Sequence, residues 1–372
     1  MGIIDGWLRR RDRWLASAAF RSWAARFPLT RPLARRRARQ LFDLCAGFTY
    51  TQVLLACVRL DLFEQLADGP RTLQEIASGC RLEPAAASRL LEAAVSLRLL
   101  QRWDGGSYRL GELGATLLGN EGVLAMIRHH PVLYRDLVDP IALLRGELPA
   151  TELGRFWGYA GRPGEGSALE PAAVAAYSEL MAASQSLIAE QVIGAYRFAR
   201  HRLILDVGGG EGAFLQAVAA AVPGLRLELF DLPGVADRAR QRLAAAGLAD
   251  RTSVHSGDFA RDPLPVGADL ITLVRVLHDH DEPLVRGLLR AVHTALPVGG
   301  RVLIAEPLAG SSGAETVGAA YFGMYLLAMG SGRARTHDEL RALLGSAGFA
   351  KVRALKTAIP LQTSVLIAEK PG

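Results

Sequence analysis

The apolar positions divide the chain into stretches of different period. Residues 41–67 read as apolar helices that stop at Asp68-Gly69-Pro70, a turn signal. Thr72 then precedes a short apolar run with Glu75 three residues on, the capping-box pattern of a helix start. From about Pro84 to Leu99, Ala87, Leu90, Leu91, Ala94 and Leu97 recur on one helical stripe. Trp103 before Asp104-Gly105-Gly106, with Tyr108 and Leu110 after it, predicts a two-stranded hairpin. Helix, turn, helix and hairpin make a winged-helix module. That shape either binds DNA through its second helix or serves as a dimerisation and substrate-lid element. Arg89 and Arg98 against Glu92 offer phosphate little, which favours the second use. Residues 115–200 look mostly helical, with the best linker candidate at Arg162–Ser167. Beyond residue 201 strands and helices alternate, as in a parallel α/β sheet. The expected division is an arm over 1–40, a helical winged-helix-like domain over 41–168 and an α/β domain over 169–372.

Composition narrows the classes. A chain of 372 residues, 50% apolar and 22% charged, has material for about two domains and is no disordered polymer. The longest apolar stretches, such as Tyr321–Met329, fall short of the ~20 residues of a membrane span, so none is expected. Cys45, Cys57 and Cys80 lack CxxC spacing and predict neither a zinc site nor a disulfide framework. With no continuous apolar leader, a reducing cytoplasm fits.

The net charge of +6 is local. Residues 1–40 hold eleven arginines against Asp5 and Asp12, a surplus of +9 that leaves −3 for the rest. Nucleic-acid enzymes carry basic surface on the working domain, so nucleic acid is not an expected partner. Ile3, Ile4, Trp7, Leu8, Trp14 and Leu15 stand near helical spacing among Arg9, Arg10, Arg11 and Arg13. Such a helix lies on an anionic membrane surface, or packs on the body or a second subunit.

The candidate chemistry begins at Leu203–Val207, a strand that leads into Gly208-Gly209-Gly210-Glu211-Gly212 and a helix. A glycine turn between strand and helix lets backbone approach a ligand, and the helix N-terminus faces it. The next strand ends at Asp231, about twenty residues past the glycines, where a carboxylate can hold ribose hydroxyls. Nicotinamide dinucleotides use a different glycine spacing. Asp206 at the strand end would repel a pyrophosphate and attract a sulfonium or amino group, so electrostatics favours S-adenosylmethionine. Asp258 and Phe259 follow a third strand and suit an adenine amino group and ring; Arg275 follows a fourth. The cofactor-binding candidates are therefore Asp206, Gly208, Gly210, Asp231, Asp258, Phe259 and Arg275.

Gly208–Gly212, Asp231, Asp258-Phe259, Val276-Leu277-His278-Asp279 and Val302–Pro307, with the winged-helix segment before them, resemble the motifs of plant-type small-molecule O-methyltransferases. The resemblance runs from about residue 41 to the end. It implies a Rossmann-like, S-adenosylmethionine-binding methyltransferase domain with a mostly parallel sheet, behind a mainly helical winged-helix domain that builds a homodimer. The strings WAARFPLTRPLARRRARQLFDLCAGF, HHPVLYRDLVDPIALLRGE and GAAYFGMYLLAMGSGRART carry a narrower likeness, to members acting on the 1-hydroxyl of acyclic carotenoids. It implies a small hydrophobic carotenoid substrate.

In that family the histidine matching His278 is the general base and the acid matching Glu306 orients it. Read from the sequence alone, His278 equally caps a helix starting near Asp279, and the lesser reading of Glu306 is a strand-end carboxylate paired with a basic neighbour. The family's second acid is absent, because Ala334 stands in its place within Ser331–Thr336, and His280 replaces a usual tryptophan. His278, His280, Asp279 and Asp281 lack a third partner at metal spacing, so no metal is expected. His129-His130 line an acceptor pocket or cap a helix before Pro131, and Tyr321–Met329 line an acceptor channel or are plain core. A phenolic polyketide or a bacteriochlorophyll intermediate is the alternative acceptor. A winged-helix regulator that senses S-adenosylmethionine is the reading from another class.

Overall fold

A computed structural model describes residues 2–157, 185–311, 313–361 and 363–372. They fall into two compact units, Met1–Gly119 and Asn120–Gly372.

In the first unit, helices α1 (Gly2–Ala16) and α2 (Ala18–Arg26) precede α3 (Arg31–Arg59). Ser17 caps α2 by accepting from the Phe20 amide, and Pro32 occupies the first turn of α3, where no amide hydrogen is required. After the single turn α4 (Leu62–Gln65) come α5 (Leu73–Cys80) and α6 (Pro84–Ser96). The Thr72–Glu75 capping box opens α5 as its residues predict. Strands β1 (Leu100–Trp103) and β2 (Ser107–Leu110) pair antiparallel across Gly105 and Gly106, both at positive φ, before α7 (Glu112–Leu117). Glu92 of α6 accepts from the Tyr108 hydroxyl at 2.7 Å and pairs with Arg102 at 2.7 Å, tying the wing to its helix. The predicted winged-helix module is present, and Arg98 is paired with Glu112.

α3 corrects one expectation. Its 29 residues include a window of mean hydropathy 1.5, long and apolar enough by length and composition to cross a membrane. The sequence shows no unbroken apolar run there, because Asp43 and the polar residues of Thr49-Tyr50-Thr51-Gln52 interrupt it while the helix continues. Its end buries Leu55, Cys57 and Val58 in the unit's own core, whereas Leu41, Phe42, Leu44 and Phe48 are exposed.

The second unit starts with α8 (Glu121–Asp136), α9 (Pro140–Leu144) and α10 (Glu152–Phe156). Their sequence reads as part of the winged-helix domain, but Leu133, Leu143, Leu153 and Trp157 bury against Tyr325, Leu326 and Met329 of this unit. The division therefore falls after Gly119; the expected boundary at 168 and the Arg162–Ser167 linker lie outside the described residues. α8 also runs through Pro131, so neither His129 nor His130 caps a helix end.

A helix described over 185–195, α11, leads to the alternation β3 (Leu203–Val207), α12 (Ala213–Ala221), β4 (Arg226–Asp231), α13 (Pro233–Ala245), β5 (Thr252–Ser256), β6 (Leu270–Val274), α14 (Glu282–Ala295) and β7 (Arg301–Glu306). A π-helical turn, Val317–Phe322, enters α15 (Gly323–Met329), followed by α16 (His337–Ser346), β8 (Ala350–Leu355) and β9 (Ser364–Glu369). The sheet order is β5-β4-β3-β6-β7-β9-β8. β5 to β7 are parallel, and β9 inserts antiparallel between β7 and β8. Helices cover both faces over two apolar clusters, so central strands such as Leu270–Val274 are buried throughout. The order reverses between β3 and β6, and the crevice at the carboxyl ends of these strands is where ligands of such sheets bind.

Candidate active site

Asp206, one residue before the end of β3, is 1% exposed. Its Oδ1 accepts from the Thr272 hydroxyl of β6 at 2.6 Å, while Oδ2 is buried with no hydrogen-bond partner among the described residues. Burial raises its pKa to about 7 against the help of Thr272, with Asp231 adding repulsion. A buried carboxylate oxygen with nothing to accept from is expensive unless a cationic donor reaches it. The aminoalkyl sulfonium of S-adenosylmethionine supplies such a donor, so the residues present fit this cofactor. Gly208 and Gly210 turn the chain at φ +70° and +57°, conformations a side chain resists, and α12 then begins. The Gly210 amide donates to Asp231 Oδ2 at 2.8 Å, locking the glycine loop to the end of β4. Burial lifts Asp231 to about 6. Beyond β5, Asp258 Oδ1 accepts from the Ala260 amide at 2.9 Å, and the Phe259 ring meets the His280 ring edge-on at 5.3 Å. Asp206, the glycines, Asp231, Asp258 and Phe259 thus lie at the carboxyl ends of three neighbouring strands.

The base side grows from β6 and β7. Arg275 leaves β6 with φ +57°, its amide donating to Ala305 at 2.8 Å. Its positive charge is felt by His278, Asp279, Tyr321 and Tyr325, which sets it near His278. Glu306, 1% exposed at the end of β7, accepts from the amides of Val276, Leu277 and His278 at 3.0, 2.7 and 3.2 Å, and from His278 Nδ1. It therefore fixes both the loop and the imidazole, and is no mere strand-end partner of a basic group. His278 Nε2 lies 3.1 Å from Asp279 Oδ1. Burial disfavours the imidazolium, but the carboxylates of Asp279 and Glu306 outweigh it and raise the His278 pKa. Asp279 thus places a second carboxylate beside the ring, although Ala334 stands where the family's second acid is expected; the sequence pattern did not single it out. His280 faces Phe259, so the two histidines do not converge on one point.

Residues 331–336 act on this loop from outside. The Ser331 hydroxyl donates to the Asp279 carbonyl at 2.9 Å and the Gly332 amide to Asp281 at 3.1 Å. Arg335, 2% exposed, donates to the carbonyls of Leu277 at 2.6 Å and His280 at 2.8 Å. Gly332 has φ +78°, and a Cβ there would overlap the His278 carbonyl oxygen. Gly332→Ala is expected to displace the base and lower kcat/KM by about 10²-fold, since ångström misplacements cost that much. Isothermal titration should show cofactor affinity unchanged within about threefold, because the cradle on β3 and β4 is untouched; a parallel loss of affinity would contradict this division of labour.

Beyond His278 lies an aromatic layer. The Phe322 ring meets His278 edge-on at 6.0 Å and continues into Tyr321 at 5.1 Å and Tyr325 at 6.3 Å. Its polar tips pair among themselves: His129 with the Tyr325 hydroxyl at 2.9 Å, His130 with Tyr321 at 2.9 Å, and Trp157 Nε1 donating to Tyr325 at 2.8 Å. Burial lowers the pKa of His129 to about 4, lowers that of His130 and raises those of both tyrosines, so the layer is uncharged. Tyr325 and Met329 are core, while the Phe322 ring lies against His278.

Residues 134–350 match the O-methyltransferase domain and 42–120 the O-methyltransferase dimerisation domain. The chain therefore belongs to the S-adenosylmethionine-dependent O-methyltransferase family, with S-adenosylmethionine as cofactor. It is 44% identical to demethylspheroidene O-methyltransferase of Cereibacter sphaeroides, over 97% of this chain and 94% of that protein. The Rhodobacter capsulatus protein of the same name is 42% identical over 93% and 85%. The crystal structure of human N-acetylserotonin methyltransferase in complex with SAM superposes with a TM-score of 0.72 at 27% identity, covering 90% of this chain and 98% of that one.

Proposed function

We propose that this enzyme methylates the 1-hydroxyl of an acyclic carotenoid of the demethylspheroidene, hydroxyneurosporene or rhodopin type, as a step of carotenoid biosynthesis. The observation that carries the acceptor is the near full-length likeness to two demethylspheroidene O-methyltransferases. The uncharged aromatic layer agrees with it, because its polar atoms are already paired and ask nothing of a hydrocarbon. We further read the enzyme as a cytoplasmic homodimer with no nucleic-acid partner. Exposed Phe42, Leu44 and Phe48, at the start of the dimerisation-domain match, offer the second copy an apolar face.

When bound, the cofactor supplies an electrophilic methyl on a sulfonium. The chain's part is to align the hydroxyl and take its proton as the new bond forms. An aliphatic alcohol is a weak acid, so the proton leaves only in concert with carbon–oxygen bond formation. His278 Nε2 receives it. Glu306 at Nδ1 and Asp279 beside Nε2 stabilise the imidazolium that results.

Incubation with labelled S-adenosylmethionine, a detergent-dispersed 1-hydroxy carotenoid and a panel of phenols tests this reading. Label in the carotenoid is the expected result. Label only in phenols would overturn the acceptor while keeping the chemistry. Cofactor binding with no transfer, together with salt-sensitive duplex binding, would favour a regulator.

A further inference from the structure

We propose that residues 2–33 form a docking surface for an anionic lipid bilayer. The arm lies before both family domains, which begin at residues 42 and 134, so neither the dimerisation domain nor the catalytic domain accounts for it.

Along α1, Ile4, Trp7, Leu8, Trp14 and Leu15 fall within about a third of the helix circumference at 100° per residue; Arg9 and Arg13 lie on the opposite face, Arg10 at the flank, and Arg11, paired with Asp12, within the apolar arc. Ile4, Trp7 and Trp14 are 73%, 65% and 61% exposed. The apolar surface continues beyond α1. Trp14, Phe20, Trp23 and Phe27 make a chain of ring contacts at 6.2, 5.6 and 5.1 Å, and Leu29 and Leu33 are exposed past it.

Charge decides the occupant. Eleven arginines face two aspartates over residues 1–40, and among the described residues only Arg11 of these arginines is in an ion pair, with Asp12. Arms of +9 on two copies repel each other, and the remainder of each chain, at −3, offers little to attract them. An anionic bilayer supplies both halves of the match: lipid headgroups for the arginines, and the interfacial zone that tryptophan prefers. This surface does not rest on the acceptor assigned above, although an enzyme held at a bilayer would meet lipid-dissolved acceptors there.

The test is co-sedimentation of the full-length protein with vesicles of phosphatidylcholine alone or with phosphatidylglycerol. Tryptophan fluorescence is read in parallel with brominated lipid. The expected result is at least about tenfold tighter binding to the anionic vesicles, with bromine quenching of the fluorescence. Salt of about 0.5 M should weaken that binding, because the Debye length falls there to a few ångströms. A Trp7→Ala/Trp14→Ala/Trp23→Ala variant should lose binding and quenching while keeping S-adenosylmethionine affinity and oligomeric state. Arg9→Glu/Arg10→Glu/Arg13→Glu should lose the preference for anionic lipid. Equal sedimentation with both vesicle types, or binding that survives the tryptophan substitutions, would overturn the proposal. So would a change of oligomeric state in the tryptophan variant, which would give the arm to a second copy, or salt-sensitive duplex binding that exceeds vesicle binding. Methyl transfer to a detergent-dispersed acceptor is read separately, so failure here leaves the acceptor assignment standing.

Discussion

With alanine at position 278, methyl transfer is expected to fall by about 10²–10⁴-fold while S-adenosylmethionine still binds, the range that loss of a general base produces. Single-turnover label transfer measures the first quantity and titration calorimetry the second. The same histidine sets the pH profile. Its pKa is raised from 6.5: burial disfavours the charged form, but Asp279 and Glu306 more than compensate. A raised pKa keeps the imidazole protonated to higher pH, and only the neutral ring can accept a proton. Activity should therefore rise with pH along a limb lying above the ordinary histidine value. Glu306→Gln removes one of the two carboxylates, so the limb should move to lower pH even as kcat drops. A limb that stays in place would mean that Glu306 orients the ring without tuning it.

Asp206→Asn should weaken S-adenosylmethionine binding by about 10–150-fold, the equivalent of ~1.5–3 kcal/mol for a hydrogen bond to a charged group. Asp206 is raised to about 7 chiefly by burial, so near neutral pH part of the free enzyme carries it protonated. A cationic ligand prefers the carboxylate. Affinity in the parent enzyme should accordingly increase as pH rises through about 7 and level off above it, with proton release on binding visible as a buffer-dependent enthalpy. The asparagine variant should show neither effect. Equal affinities for variant and parent would place the sulfonium end of the cofactor away from the orphaned oxygen Oδ2.

The cofactor side was legible because its signals are local. A strand carrying Asp206 and four glycines lie within ten residues, and Asp231 and Asp258 stand at or just past the ends of the two strands that follow. The capping box at Thr72 and the hairpin glycines are local in the same way. What escaped depends on residues far apart in sequence. Arg335 reads as a surface charge until its guanidinium is seen spending two hydrogen bonds on carbonyls 58 and 55 residues upstream. The pairs His129–Tyr325 and His130–Tyr321 join positions 196 and 191 residues apart, and no periodicity relates them. Asp279 was in view beside His278, but the usual second acid lies elsewhere in the chain, and only side-chain geometry shows the carboxylate beside Nε2. The helix through Pro131 and the length of α3 were obscured for a different reason. A proline or a few polar residues interrupt a pattern without ending a helix whose other contacts hold it.

The side-chain and amide hydrogen bonds given above for the loop carrying His278 come from residues made after it: Glu306, Ser331, Gly332 and Arg335. β7, which presents Glu306, in turn gains its outer neighbour only when β9, ending at Glu369, enters the sheet. During synthesis the first unit has its whole sequence available early, whereas the sheet edge beside Glu306 is completed only when almost the last residues are released. Loop closure over such separations is slow. Chains cut short before β9 would therefore carry every residue of the cofactor cradle and of the His278 loop, yet lack a strand that both apolar clusters of the sheet bury.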